Sequence, residues 1–110
     1  MVDVDHYTFR VSWSTEDGEF IGTCLELPSL SWLSESQGEA LLGIRVAAAE
    51  VVADLSKSGE SVPIPLADRK FSGKFNVRIT PQLHRELAME AAENGLSLNR
   101  LANDRLARRS

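Results

Sequence analysis

Three residues that alternate along one short stretch, Lys74, Asn76 and Arg78 in KFNVRIT, have side chains suited to reading DNA bases. A cationic side chain bonds guanine O6 and N7, and a carboxamide bonds adenine N6 and N7. Between them stand Phe75, Val77 and Ile79. Alternate residues of a strand point to opposite faces. The stretch therefore predicts a strand with one apolar face and one face carrying an amide and two cations. A lone strand cannot bury an apolar face, so this one needs a partner.

Other residues could do chemistry, and each has a simpler reading. Asp3, Asp5, Glu16, Asp17 and Glu19 could form a metal-dependent nuclease site. They fall at expected strand ends and a turn tip, where carboxylates are commonly solvated. His6 and His84 lack any Cys, His or Asp spacing that fits a metal ligand set. Cys24, inside an expected strand, reads as a small core residue with no base nearby in sequence. The expectation is a chain with no catalytic residues, no metal and no cofactor, and so not an enzyme. Trp13 and Trp32 suit either a partner surface or a core.

The elements that position these residues follow from periodicity. Residues 7–13 alternate Tyr7, Phe9, Val11 and Trp13 with polar neighbours, a strand pattern. Asp17-Gly18 marks a hairpin turn. Residues 19–27 return as a second strand stopped by Pro28, and residues 30–33 supply a third. From 37 to 57 the period becomes helical through Leu41, Ile44, Ala48, Val51 and Leu55, with Ser36 and Glu39 as a capping box. Leu42, Val46, Ala49 and Ala53 lie off that face, so the helix is expected to pack on the sheet and on something else. Residues 58–74 have the proline, glycine and serine content of a linker, with room for a short strand at 62–66.

After residues 74–80, Thr80 and Pro81 open a helix whose face carries Leu83, Leu87 and Ala91. Asn94-Gly95 stops it. Ser97 caps a second helix with Leu98, Leu101, Ala102 and Leu106 as its stripe. Arg105, Arg108 and Arg109 suit its C-terminal dipole. Such a short block buries too little to fold alone. An identical copy would cure this: two strands pair antiparallel with Phe75, Val77 and Ile79 as dimer core. The outer face of that two-stranded ribbon presents Lys74, Asn76 and Arg78 twice, at a width the DNA major groove admits. The start of the second helix, at Ser97, offers N–H groups to a phosphate.

Composition supports a division of labour. The chain has 110 residues, 43% of them hydrophobic and 25% charged, which is globular rather than disordered. Residues 1–68 hold three Lys/Arg against twelve Asp/Glu, a balance of −9; residues 69–110 hold nine against four, a balance of +5. That asymmetry between halves points to two functions, one of them nucleic-acid contact. No apolar run reaches the length of a membrane span, the N-terminus lacks a signal-peptide pattern, and there is one cysteine. The expected location is the cytoplasm. The expected domains are 1–68 and 69–110, in an α+β fold: a small antiparallel sheet on a helix, then a strand-helix-helix module.

Strand, TP, helix, ENGLSLN, helix resembles the ribbon-helix-helix fold of Arc/MetJ-type repressors over residues 74–107. The resemblance implies base contacts from Lys74, Asn76 and Arg78, and phosphate contacts from Ser97, Leu98 and Asn99. The order DGEF, CLELPSL, GEALLGI, GESVPIP, SGKFNVRI resembles the HicB family of antitoxins, with Ser29 and Ser34-Glu35-Ser36 as departures. HicB proteins join a degenerate RNase H-like domain to a DNA-binding module. That resemblance implies a type II antitoxin that neutralises a HicA-type mRNA-cleaving toxin and represses its own operon at operator DNA. It would act as a homodimer, or as a tetramer through the N-terminal helix. The alternative is a stand-alone repressor whose first domain senses a ligand or only oligomerises.

Overall fold

The computed structural model describes residues 2–108. Arg109, expected to suit a helix end, lies outside the described residues. The chain divides into two compact units, the first ending at Ser72 and the second beginning at Gly73.

The first unit is a three-stranded antiparallel meander with one long helix on it. A 3-10 turn, Val4–His6, precedes β1 (Phe9–Ser14), β2 (Glu19–Cys24) and β3 (Ser31–Ser34), and then comes α1 (Gln37–Lys57). The sheet order is β1-β2-β3, with Val11 opposite Gly22 and Gly22 opposite Trp32. Alternation puts Phe9, Val11, Phe20, Gly22, Cys24 and Trp32 on the helix side. Ile44, Ala48 and Cys24 are buried there, together with Tyr7 and Leu27. Two glycines allow the close approach. A Cβ at Gly22 would lie 2.6 Å from the carbonyl oxygen of Ala40, and one at Gly43 would collide with the Trp32 indole.

Several expectations need adjusting. β1 begins at Phe9, because Tyr7 leaves the 3-10 turn and sends its Oη to the carbonyl of Pro63 at 2.7 Å. β2 ends at Cys24, where Leu27 N–H bonds the Cys24 carbonyl at 3.2 Å and the chain turns Glu26 inward. α1 spans the expected residues, and Ser36 Oγ accepts from Glu39 N–H at 3.1 Å. The capping box is only half formed, since the Glu39 carboxylate takes the hydroxyl of Ser34 at 3.1 Å.

The expected linker is largely structure. Residues 62–66 form no strand; Pro65 is fully buried, and Leu66–Asp68 makes a 3-10 turn. Pro63 and Pro65 have no N–H to give a ladder. Side chains hold this strap instead, including Arg69 Nε to the Ile64 carbonyl at 2.9 Å. The first unit therefore runs on beyond residue 68.

The second unit holds α2 (Pro81–Glu93) and α3 (Leu98–Leu106). Thr80 Oγ1 caps α2 by accepting from Leu83 N–H at 3.1 Å, with Pro81 at the first helical position. Gly95, at φ +66°, closes it with Leu96 N–H on the Ala91 carbonyl at 2.9 Å, the glycine-ended stop that Asn94-Gly95 predicts. Residues 74–79 are not in a strand, contrary to expectation. A strand exists only against a neighbouring strand, and among the described residues the one sheet is β1-β2-β3.

Candidate nucleic-acid interface

Among the described residues of the second unit only Ala91 and Leu101 are buried. Phe75 is 73% exposed, Val77 62% and Ile79 43%, and Leu83 and Leu106 are also exposed. The proposed dimer-core residues are thus uncovered in the single chain. Burying one such side chain is worth about 1.5–3 kcal/mol, so an apolar row of this size is a strong drive to associate.

Lys74, Asn76 and Arg78 are exposed on the same segment, so they and the apolar row are both at the surface. The basic balance of this unit is partly spent internally. Arg105 pairs with Glu90 and ties α3 to α2, and Arg100 lies 3.9 Å from Asp104 one turn on. At the start of α3, Ser97 Oγ accepts from Arg100 N–H at 3.0 Å. The cap satisfies that donor and leaves the N–H groups of Leu98 and Asn99 as the first-turn donors with no helical partner. Leu98 is half-buried while Ser97 and Asn99 are exposed, so Leu98 could offer only its backbone to a phosphate.

Three of the five acidic residues weighed for a nuclease site have other occupations. Asp3 caps the first 3-10 turn by accepting from Asp5 N–H at 2.9 Å, Asp5 meets Arg45 at 2.7 Å, and Asp17 takes the Ser14 hydroxyl at 2.8 Å. Among the described residues no group of three or more His, Cys, Asp or Glu is arranged to hold a metal ion. Cys24 is buried at 2% exposure, and burial pushes its thiol up, away from the nucleophilic form. His84 is exposed on α2. Trp13 and Trp32 are about half exposed, Trp13 edge-on to Phe20 with ring centroids 5.0 Å apart.

Two constellations escaped the sequence reading. Glu26, 7% exposed, accepts from Thr8 N–H and from Leu66 N–H, each at 2.9 Å, and from the Thr8 hydroxyl at 3.2 Å. Burial alone would raise its carboxyl, but the N–H groups of Leu66 and Thr8 outweigh that and hold it below the usual range. His6 Nδ1 lies 2.8 Å from Asp68, and its Nε2 lies 3.4 Å from Asp3. The Asp68 hydrogen bond and charge, with Asp3 behind them, raise the imidazole above its ordinary value. Sixty-two positions separate His6 from Asp68, and no local signal could have joined them.

Residues 58–106 match the HicB family model, a span that takes in the strap, the 74–80 segment and both helices of the second unit. No curated protein and no solved structure matches the chain. Among the described residues no helix is long and apolar enough to cross a membrane.

Proposed function

We propose that this chain is a HicB-type antitoxin. Its first unit binds and occludes a HicA-type mRNA-cleaving toxin, and its second unit represses the shared operon as a ribbon-helix-helix dimer on operator DNA. The observation that carries the reading is the second unit itself: two well-capped helices with two buried residues, preceded by an exposed alternating segment. The HicB match over the same residues supports it.

In the proposed dimer, two copies of 74–79 pair antiparallel and close Phe75, Val77 and Ile79 over the helices. The ribbon's outer face then enters the major groove, with Arg78 and Lys74 bonding guanine and Asn76 bonding adenine. Ser97, Leu98 and Asn99 anchor a phosphate at the start of α3, where the helix dipole favours an anion. The acidic first unit complements a basic RNA-cleaving toxin, which speeds encounter. Neutralisation by occlusion needs no catalytic group or cofactor in this chain.

Two neighbouring substitutions test the ribbon. Arg78→Ala should cost about 1–3 kcal/mol of operator affinity per contact and relax specificity at one position in each half-site, with little change in stability. Val77→Asp buries an unpaired carboxylate in the proposed core and should dissociate the second unit. If Arg78→Ala unfolds the protein while Val77→Asp leaves a stable dimer, the two faces are assigned the wrong way round.

A further inference from the structure

β3 meets α1 along a groove of about 470 Å³, lined by Trp32, Ser34, Glu39, Leu42, Gly43 and Val46. Gly43 shapes it. A Cβ there would lie 2.2 Å from both Cδ1 and Nε1 of Trp32 and 2.5 Å from Cε2, near-equal distances that place it over the flat face of the ring. The helix backbone thus seats one face of the indole, yet Trp32 is still 47% exposed. Leu42 and Val46, 62% and 50% exposed, flank that seat. The lining also has a polar part, where the Ser34 hydroxyl donates to the Glu39 carboxylate at 3.1 Å. At about 100° per residue, Glu50 falls between Glu39 and Gly43 on the same edge of the helix, with Asp54 beside it. The cation of that edge, Lys57, lies fourteen residues beyond Gly43, roughly 21 Å along the axis.

We infer that this groove is where the first unit receives its toxin, and that it takes a Lys or Arg side chain of that toxin. The methylene stem lies along Leu42, Val46 and the other face of Trp32, and the charged head reaches Glu39. Such a side chain matches both parts of the lining: its stem is apolar, and its head is drawn by an indole face as well as by a carboxylate. The occupant follows from charge. An RNA-cleaving protein presents Lys and Arg to phosphates. The groove sits on the acidic edge of α1, where Glu39, Glu50 and Asp54 stand against Lys57. The other surfaces of the unit fit a cation less well. The face of the sheet turned from the helix carries Arg10 and Glu19, which balance, among Ser12, Ile21, Thr23 and Leu33. A second groove, among Val4, Val52 and Val62, has no charged residue in its lining. The inference rests on the proposed neutralisation by the first unit, and adds to it the surface used and the side chain recognised.

Calorimetric binding of the cognate HicA-type toxin to the full-length chain tests this, with wild type and three variants. Val46→Arg puts a cation into the groove from an exposed position and should raise the toxin's Kd about tenfold or more. Glu39→Gln keeps an acceptor for Ser34 but removes the charge. It should raise Kd about twofold to fivefold, the range of an exposed ion pair. Ser12→Arg makes the same charge change as Val46→Arg on the far face of the sheet, and should leave Kd within about twofold. Thermal melts matching wild type show that each variant is folded. Leu42→Arg, exposed one turn before Val46, takes the place of Val46→Arg if that variant does not fold. Wild-type Kd from Val46→Arg or from Glu39→Gln overturns the inference while toxin binding itself stands. A larger loss from Ser12→Arg moves the toxin to the open face of the sheet and overturns it too. A smaller sedimenting mass of toxin-free Val46→Arg assigns the groove to a second copy, with the same consequence. If wild type leaves the toxin unbound, the proposed neutralisation falls and this inference with it.

Discussion

Glu26→Ala should loosen the first unit more than any surface substitution, and the size of the effect follows from its partners. The carboxylate is the acceptor for the backbone N–H groups of Thr8 and Leu66, both at 2.9 Å. Both donors are partly buried, and removing the acceptor leaves them without one. An orphaned buried donor costs about 1–3 kcal/mol, so the pair amounts to roughly 2–6 kcal/mol. For a domain of this size each kcal/mol moves Tm by about 4–8 °C, which predicts a fall of roughly 10 °C or more. Glu26→Gln keeps the shape but turns one acceptor into a donor that faces another donor, so it should lie between the two. The assay is thermal unfolding followed by tryptophan emission, because Trp13 and Trp32 both belong to the first unit. The pH dependence adds a second check. The folded carboxyl is held below its ordinary value, so its contribution is present above that value and is lost as pH falls through the lowered folded value. Wild type and Glu26→Gln should therefore converge in acid. Glu26→Ala unfolding within about 0.5 kcal/mol of wild type would refute the clasp, since that is the range of an unremarkable surface change.

Further outcomes follow from the same structure. His6 is raised in the folded state, so its pairing with Asp68 stabilises below the ordinary value near 6.5 and fades as pH rises through the raised folded value. His6→Gln should cost stability at pH 5–6 and nothing at pH 9; equal loss at both, in thermal melts, would contradict this. Operator binding by the full chain should weaken steeply with salt, because each neutralised phosphate releases counterions. A flat plot of log K against log salt would remove the basic second unit from the interface. Asn76→Ala should relax base preference at a position occupied by adenine, read by binding to a panel of single-base operator variants.

How much was legible depended on whether the signal was local. α1 could be read residue for residue, because the 3.6-residue apolar period runs through it and Ser36 and Gly59 stand within two positions of its ends. The same holds for Thr80-Pro81 and Ser97, whose side chains cap N–H groups three positions on, and for Asn94-Gly95, whose backbone bonds reach back no more than five positions. The strap was misread as linker because proline and glycine content reports backbone freedom, not burial. The strap around Pro65 is held at Pro63, Leu66 and Ile64 by Tyr7, Glu26 and Arg69, the first two reaching across 56 and 40 positions. The charges of Asp3 and Asp17 are visible in sequence, but their separate hydrogen bonds are not. For residues 74–79, alternation revealed two faces, yet a single chain cannot supply the partner that would make them a strand. Leu42 and Val46 read from sequence as lying off the main face of α1, and exposure shows how fully they are offered.

The central claim is that one chain divides two tasks between its units, neutralisation in the first and repression in the second. The most direct measurement co-expresses a HicA-type toxin with the full chain and with a version ending at Ser72, scoring growth and operator binding together. The shorter version retains the whole strap and should rescue growth while failing to bind the operator. The full chain should do both. Rescue by residues 73–110 without the first unit, or operator binding by the version ending at Ser72, would contradict the account.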